Sequence, residues 1–356
     1  MRTHRIVVIP GDGIGPEILE AALEVLRAVQ TSSSGFTVEL RTELAGAAQF
    51  QRTGVSITPE AVEACRRADG VLKAPVGLPG VRLADGTEAG MLGGVLRGGL
   101  DLYANLRPIK LWPGVRSAIG ARPGQIDYAI VRENTEGLYA SRGRGVVNQW
   151  AATDLLLMTR PGVERVVRFA FELARKRNGA PLDRVRRVTC VDKANVLRSF
   201  AFFRGIFQEI GAQYPDIEMD FLYADAAAQA LVLDPSRFDV LVMENFLGDI
   251  LSDLGGATIG GIGMCPSGNI GAESAYFEAI HGSAPTLAGR DLANPLGLIL
   301  SLALLLERLN EPAAARQIEH AIWHALESGA LTLRDDGSIV GGPHQAAATI
   351  VQHLGR

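Results

Sequence analysis

Asp249 and Asp253 stand four residues apart in Asn245-Phe246-Leu247-Gly248-Asp249-Ile250-Leu251-Ser252-Asp253, just past an apolar run from Val240 to Met243. A helix that starts near Gly248 puts both carboxylates on one face, one turn apart. Like charges at that spacing repel, and a divalent cation with oxygen ligands offsets the repulsion. An acidic first turn matched to the helix dipole is the plainer reading of the same residues. Three arginines suggest a second chemistry. Arg97 precedes Gly98-Gly99, Arg107 precedes Pro108, and Arg132 follows the apolar run Ile126 to Val131. A guanidinium grips a carboxylate through paired hydrogen bonds, so converging arginines would suit a dicarboxylic acid. Taken singly, each reads as a surface charge. Lys193, in Asp192-Lys193-Ala194-Asn195, and Tyr139, at the end of Asn134-Thr135-Glu136-Gly137-Leu138-Tyr139, complete the set. With tuned pKa values they can serve as general base and general acid. Alone, either is an ordinary exposed or packed side chain.

Strands and helices alternate around these residues. Ile6–Ile9 is a continuous apolar strand, Gly70–Ala74, Asp127–Val131, Arg187–Val191, Met219–Leu222 and Asp239–Met243 are strand-like, and Val38–Leu44 alternates as a strand does. Glu17–Val29 and Pro312–Ser328 have helical periodicity, and Thr58-Pro59-Glu60 opens another helix. This pattern predicts an α/β chain with a largely parallel sheet. Lys193 then lies beyond the C-terminal end of a strand, where open α/β sheets place ligands. Gly11, Gly13 and Gly15 follow a strand and precede a helix, but Pro16 stands three residues after Gly13, where a dinucleotide fingerprint needs glycine. The turn is therefore not a Rossmann fingerprint. It is either a tight turn bringing backbone close to a ligand or a plain strand–helix turn. Gly77–Gly99 is long and glycine-rich, which suits a functional loop or a mobile surface one.

The chain has 356 residues, 47% of them hydrophobic, which predicts about two domains with a large core. A net charge of −4 with dispersed arginines argues against nucleic acid as a partner. Cys65, Cys190 and Cys265 are odd in number and far apart, so they read as buried free thiols in a reducing compartment. With no signal peptide evident, a cytoplasmic protein is expected. The longest apolar run, Leu296–Leu306, falls short of the ~20 residues that span a bilayer. It predicts a helix buried on all sides and no membrane partner.

Six stretches in this order resemble the isocitrate/isopropylmalate dehydrogenase family of β-decarboxylating dehydrogenases: Ile9–Glu17, Asp101–Pro108, Val131–Gly137, Asp192–Val196, Gly248–Asp253 and Phe277–Pro285. The resemblance implies an isopropylmalate-dehydrogenase-like fold rather than a Rossmann fold, with two α/β domains and a central cleft. Residues 1–102 and 260–356 would form the cofactor-side domain. Residues 103–259 would form the dimerisation and substrate domain, with a clasping arm at about 139–153. It also implies a homodimer with shared active sites. Asp249 and Asp253 would ligate Mg²⁺ or Mn²⁺ together with Asp225 from the partner subunit. Arg97, Arg107 and Arg132 would hold the substrate's carboxylates. Tyr139 would act as acid and Lys193, from the partner, as base. Ile14, Lys73 and Asn195 would lie near the nicotinamide of NAD, with NADP the open alternative. His281, Gly282, Ser283, Ala284, Pro285 and Asn294 would hold the adenosine part. The reaction implied is oxidative decarboxylation of a 3-substituted D-malate, a small di- or tricarboxylic hydroxy acid, to a 2-keto acid and CO₂. Tartrate or D-malate dehydrogenation is the alternative, and a non-catalytic regulatory subunit a more distant one.

Two segments depart from family patterns. Gly90–Leu96, just before Arg97, has glycines where relatives place leucines, or serine and asparagine, that read the substituent. Thr286 stands where NAD-selective relatives carry an aspartate that repels a 2′-phosphate. Weaker discrimination against NADP is expected.

Overall fold

The computed structural model describes residues 2–32, 35–84 and 86–355. The chain divides into two compact units, one from Met1–Asp101, Trp112–Arg116 and Ile259–Arg356, the other from Leu102–Leu111 and Ser117–Thr258. The short excursion at 112–116 belongs with the first unit because Trp112 packs against Trp323, ring centroids 6.1 Å apart. Gly114 follows at φ +69°, where a Cβ would stand 2.6 Å from the Leu326 carbonyl oxygen.

The chain begins in the first unit with β1 (Arg2–Ile9), α1 (Gly15–Ser32), β2 (Phe36–Thr42), α2 (Ala47–Thr53), α3 (Pro59–Arg67) and β3 (Gly70–Lys73). Ile6–Ile9 of β1 are buried, as a continuous apolar strand requires. Thr58 caps α3 by accepting from the Ala61 N–H at 3.2 Å, with Pro59 as the first helical residue. A π-helical turn, Gly94–Gly98, carries Arg97 late in the glycine-rich connection.

The second unit contributes β4 (Ala104–Lys110), β5 (Asp127–Glu133), the short hairpin strands β6 (Val146–Val147) and β7 (Ala152–Thr153), α4 (Arg160–Lys176), β8 (Arg187–Asp192), α5 (Arg198–Gly211), β9 (Glu218–Tyr223), α6 (Ala224–Leu233), β10 (Val240–Met243) and α7 (Asn245–Thr258). Its strand order is β4-β5-β10-β8-β9. β5, β10, β8 and β9 pair in parallel, and β4 pairs antiparallel to β5. The C-terminal ends of four strands therefore share one edge, with Met243 in register with Arg132 and Val191.

The chain then re-enters the first unit with β11 (Pro266–Ile270), β12 (Ala275–Ala279), α8 (Leu296–Arg308), α9 (Pro312–Glu327) and α10 (Gly342–His353). Strand order here is β2-β1-β3-β12-β11, parallel except for the β11–β12 hairpin. α8 is buried nearly all round, in contact with β11, β12, α1 and α9. It accounts for the long apolar run, and no helix among the described residues is long and apolar enough to cross a membrane. Cys65, Cys190 and Cys265 are free and buried.

α7 starts at Asn245, three residues earlier than the expected start at Gly248. Glu244 explains the difference. Its carboxylate accepts from the Leu247 N–H at 3.2 Å and its carbonyl from the Gly248 N–H at 2.9 Å, so it serves as the helix cap.

Candidate active site

In the second unit, Asp249 and Asp253 project one turn apart from α7, which packs directly on β5. Gly248 permits that approach: a Cβ there would sit 2.6 Å from both Cβ and Cγ of Arg132. Arg132, 1% exposed, donates from Nε to Asn245 Oδ1 at 2.9 Å and from Nη1 to Asp249 Oδ1. Arg107, also buried, donates from Nε to Asn105 Oδ1 at 2.6 Å and from Nη1 to Ser252 Oγ at 2.5 Å. Its Nη2 lies 3.3 Å from Asp249 Oδ1 and its Nη1 3.5 Å from Asp253 Oδ1. Tyr139 donates its hydroxyl to Asp249 Oδ2 at 2.8 Å, with its ring 5.6 Å from the Arg132 guanidinium carbon. One carboxylate thus receives two buried arginines and a tyrosine.

Burial raises the Tyr139 pKa, and the hydrogen bond to Asp249 adds to the rise, so the phenol holds its proton at neutral pH. Burial also raises the Asp253 carboxyl, with Arg107 opposing and Asp249 reinforcing. Two arginine charges face two carboxylates, so this patch is neutral by itself. Both carboxylates keep exposed surface, 36% for the Asp249 side chain and 56% for Asp253. They are hard oxygen donors one turn apart, which fits Mg²⁺ or Mn²⁺ as part of a ligand set. Two carboxylates alone do not complete such a set. Among the described residues, no three His, Cys, Asp or Glu side chains gather to hold a metal.

A frame of residues holds these groups, and the sequence did not single it out. Glu133 is buried and accepts from the Thr135 N–H at 2.8 Å, the Thr135 hydroxyl at 2.7 Å and the Glu136 N–H at 2.7 Å, shaping the turn after β5. Asn245 donates to the Glu136 carbonyl at 2.9 Å while accepting from Arg132. Glu244 accepts from the Leu138 N–H at 2.9 Å, next to Tyr139, and caps α7 at the same time. Arg132, Tyr139 and Asp249 are thereby tied to one another through α7's first turn. The only sequence signal for this frame is the crowding of Glu, Asn and Thr just beyond two apolar strands.

Lys193 and Asp225 pair with each other, Nζ to Oδ1 at 2.5 Å, beyond β8 and at the start of α6. Hydrogen bonding from Lys193 leads in pulling the Asp225 carboxyl below the usual range. Asp192 orients the lysine's loop by accepting from the Ala194 N–H at 2.8 Å, and it is held in turn by Arg204 at 2.7 and 2.9 Å. Asn195 is exposed on the same loop.

In the first unit, Arg97 donates from Nε to Tyr276 Oη at 3.0 Å and from Nη2 to Glu278 Oε1 at 3.3 Å. Glu278 also receives Lys73 at 2.5 Å and Asn269 at 3.1 Å. Burial works against the Glu278 charge, but Lys73 and Arg97 outweigh it and hold the carboxyl at about 2. The glycine turn approaches the chain's own backbone. A Cβ on Gly11 would lie 2.9 Å from the Pro75 carbonyl carbon, and one on Gly13 2.9 Å from that of Ser283. The Ile14 N–H donates to the Ser283 carbonyl at 2.8 Å. Asp12, buried, accepts from Ala47, Ala48 and Gly77 N–H groups at 2.7–2.9 Å. Ser283 donates to the Gly77 carbonyl. The turn thus knits together the 75–77 and 281–285 segments.

His281 turns Nδ1 to the Gly282 carbonyl at 2.9 Å, and its Nε2 is buried without a partner. Burial leads in lowering its pKa, so the ring is neutral at pH 7 and offers one nitrogen to a ligand. Ala284 adopts φ +35°, and Pro285 is exposed. Asn294 donates to the Gly337 carbonyl at 3.2 Å and accepts from the Leu296 N–H at 3.0 Å, anchoring the loop before α8. An orphaned buried ring nitrogen beside partly open backbone fits the hydrogen-bonding edge of an adenosine.

The sequence model described as "Isocitrate/isopropylmalate dehydrogenase" matches residues 5–340. A 3-isopropylmalate dehydrogenase of Clavibacter sepedonicus is 43% identical over 338 residues, covering 90% of each chain. A 3-isopropylmalate dehydrogenase of Thermosynechococcus vestitus is 38% identical and covers 99% of each. Among solved structures, an isocitrate dehydrogenase from Methylococcus capsulatus superposes with a TM-score of 0.87 at 38% identity, over 99% of this chain and 100% of the other.

Proposed function

Because this chain belongs to the isocitrate/isopropylmalate dehydrogenase family, we propose that it catalyses NAD-dependent oxidative decarboxylation of a 3-alkyl-substituted D-malate such as 3-isopropylmalate. The observation that carries the reading is the carboxylate of Asp249 received by Arg107, Arg132 and Tyr139 together. Two buried guanidiniums that hold a carboxylate in the free chain are built to hold a substrate's carboxylates in its place. The alkyl substituent is supported by Met91 and Val95, exposed apolar side chains within six residues of Arg97 in the chain. Between Glu88 and Arg97 no charged side chain is available to meet an additional carboxylate. The names of the curated relatives reported above point the same way.

In this reading Asp249 and Asp253 hold the divalent cation, and Asp225 and Lys193 come from a second copy of the chain. When bound, the cation and the nicotinamide supply Lewis-acid polarisation at C2 and an acceptor for the hydride. Arg97, Arg107 and Arg132 orient the carboxylates, so that C3 loses CO₂ in a fixed geometry. Lys193 assists removal of the C2 hydroxyl proton, held in place by its pairing with Asp225. Tyr139 returns a proton to C3 after CO₂ has left, which its raised pKa suits. His281–Pro285, Asn294 and Ile14 serve the adenosine and nicotinamide halves of NAD, with Lys73 and Asn195 beside the latter. Exposed Val146, Val147 and Trp150 on the β6–β7 hairpin support an arm that clasps the second copy.

A panel of 3-isopropylmalate, isocitrate, homoisocitrate, D-tartrate and D-malate with Mn²⁺ and each dinucleotide tests the reading. The expected result is a preference for 3-isopropylmalate, with one CO₂ per NADH. A preference for tartrate or D-malate, or NADH without CO₂, contradicts it. Turnover by the purified chain alone excludes a regulatory subunit. Asp249→Asn should abolish turnover with the fold intact; near-normal activity would remove the metal assignment.

A further inference from the structure

We propose that the Tyr276 hydroxyl is a positioning group that clamps the Arg97 guanidinium for a substrate carboxylate. This rests on Arg97 being a substrate arginine, as proposed above. Arg97 sits in a segment with Gly93 and Gly94 before it and Gly98 and Gly99 after it. Leu92, Leu96 and Leu100 are buried and root the segment, with Leu96 N–H donating to the Leu92 carbonyl at 2.8 Å and Leu100 N–H to the Leu96 carbonyl at 3.0 Å. Yet a Cβ on Gly98 or Gly99 would meet nothing within 4 Å, and neither residue has positive φ. Neither crowding nor backbone geometry calls for glycine there. What the glycines supply is conformational freedom on the C-terminal side of Arg97, which works against holding its charge in one place.

β12 supplies the restraint. Tyr276 is 1% exposed, and its backbone is fixed on both sides, in register with Val71 of β3 and Asn269 of β11. Its hydroxyl accepts from Arg97 Nε at 3.0 Å. Glu278, two residues along and so on the same face of the strand, accepts from Nη2 at 3.3 Å. Glu278 is shared with Lys73 and Asn269 over shorter distances, 2.5 and 3.1 Å. The tyrosine therefore makes the closer contact of the two to the arginine. Lys73 Nζ lies 5.8 Å from the Tyr276 ring centroid, which steadies the ring itself. Phenylalanine at 276 would keep the buried ring and lose only the hydroxyl.

Steady-state kinetics with 3-isopropylmalate, NAD and Mn²⁺ tests the clamp. Tyr276→Phe should raise the KM for 3-isopropylmalate about tenfold, the size of one lost hydrogen bond to a charged group. The KM for NAD should stay within about twofold, and the melting temperature should fall by no more than a few degrees, about the cost of one buried hydrogen bond. Adding Gly98→Ala, which limits the backbone where space is open, should recover about threefold of that loss. Arg97→Gln should be more damaging, and Tyr276→Phe should add nothing to it. A Tyr276→Phe enzyme within about twofold of wild type on 3-isopropylmalate overturns the clamp, as does an equal rise in both KM values. If Tyr276→Phe does not fold, Gly98→Ala in the wild type decides: an increase in the 3-isopropylmalate KM above about threefold overturns the view that freedom there is a liability. Should Arg97→Gln leave the 3-isopropylmalate KM unchanged, the substrate role of Arg97 fails, whatever the tyrosine does.

Discussion

Gly248→Ala should cripple the enzyme while barely moving its stability. Gly248 lies inside α7, where alanine is ordinarily favoured by about 1 kcal/mol. One more buried methyl adds about 0.8 kcal/mol in the same direction. Against this, the new Cβ would stand 2.6 Å from Arg132 Cβ and Cγ and 3.2 Å from its Cα. The first two contacts are about 1 Å inside the optimum for carbon pairs. Arg132 cannot yield, being 1% exposed on β5, which is paired on both sides by β4 and β10. Overpacking of this kind costs about 1–3 kcal/mol. The two sides nearly cancel, leaving a stability change of roughly 1 kcal/mol or less. Relief comes from α7 receding about 1 Å, and that carries Asp249 and Asp253 away from Arg107, Arg132 and Tyr139. A displacement of that size at a reacting centre lowers kcat/KM by about a hundredfold. Urea unfolding and steady-state kinetics on the same preparation measure both halves. A variant more stable by about 2 kcal/mol with kcat/KM within about threefold of wild type would refute the idea that this contact sets the site.

Tyr139→Phe should lower kcat by about a hundred- to a thousandfold with little change in the hydroxy-acid KM, since the phenol acts as a proton donor rather than a binding group. Equal losses in kcat and affinity would point to a binding role. Wild-type discrimination between NAD and NADP should fall below about a thousandfold, about 4 kcal/mol, and Thr286→Asp should increase it; a larger ratio in the wild type contradicts the reading of Thr286. Glu278 is held at about 2, against an ordinary 4.5, by Lys73 and Arg97 acting against its burial. Its charge therefore contributes stability in full above about pH 4.5, and that contribution fades as pH falls toward 2. Glu278→Gln should be less stable at pH 7 and lose less on acidification, which denaturant titrations at pH 7 and pH 3.5 compare. A parallel fall in both proteins would show that the pair is not the source. Cys65, pushed up to about 12 chiefly by burial, should resist thiol reagents until the chain unfolds.

What the sequence revealed was what local spacing encodes. Asp249 and Asp253 could be placed on one helix face from their separation, and α8 from its long, largely apolar run. β4 was harder, because Pro108 within Ala104–Lys110 breaks the strand signature, yet it pairs with Ala129 of β5. The frame around the site was illegible for another reason. Glu133, Glu244 and Asn245 look like loop residues after strands, and only the parallel register of β5 and β10 brings them to one edge. Tyr276 was silent in a different way: an aromatic in a strand reads as core, and its hydroxyl has meaning only once Arg97, far away in the chain, arrives beside it. Asp12 lay in full view in the glycine turn, but the turn pointed toward a ligand rather than toward the three backbone N–H groups that Asp12 receives.

The first unit is assembled from both ends of the chain, and this sets the order in which the molecule can be made. α1 rests on α8, α9 and α10, none of which exists when α1 leaves the ribosome. The second unit, complete by Thr258, has all its strands and helices while residues 259–356 are still to come. It can close first, presenting α7 already seated on β5, whereas the N-terminal strands must wait with apolar faces uncovered. The early chain is therefore the vulnerable one. Ribosome-bound chains halted shortly after residue 258 emerges should resist protease within the second unit while remaining open to it between β1 and β3.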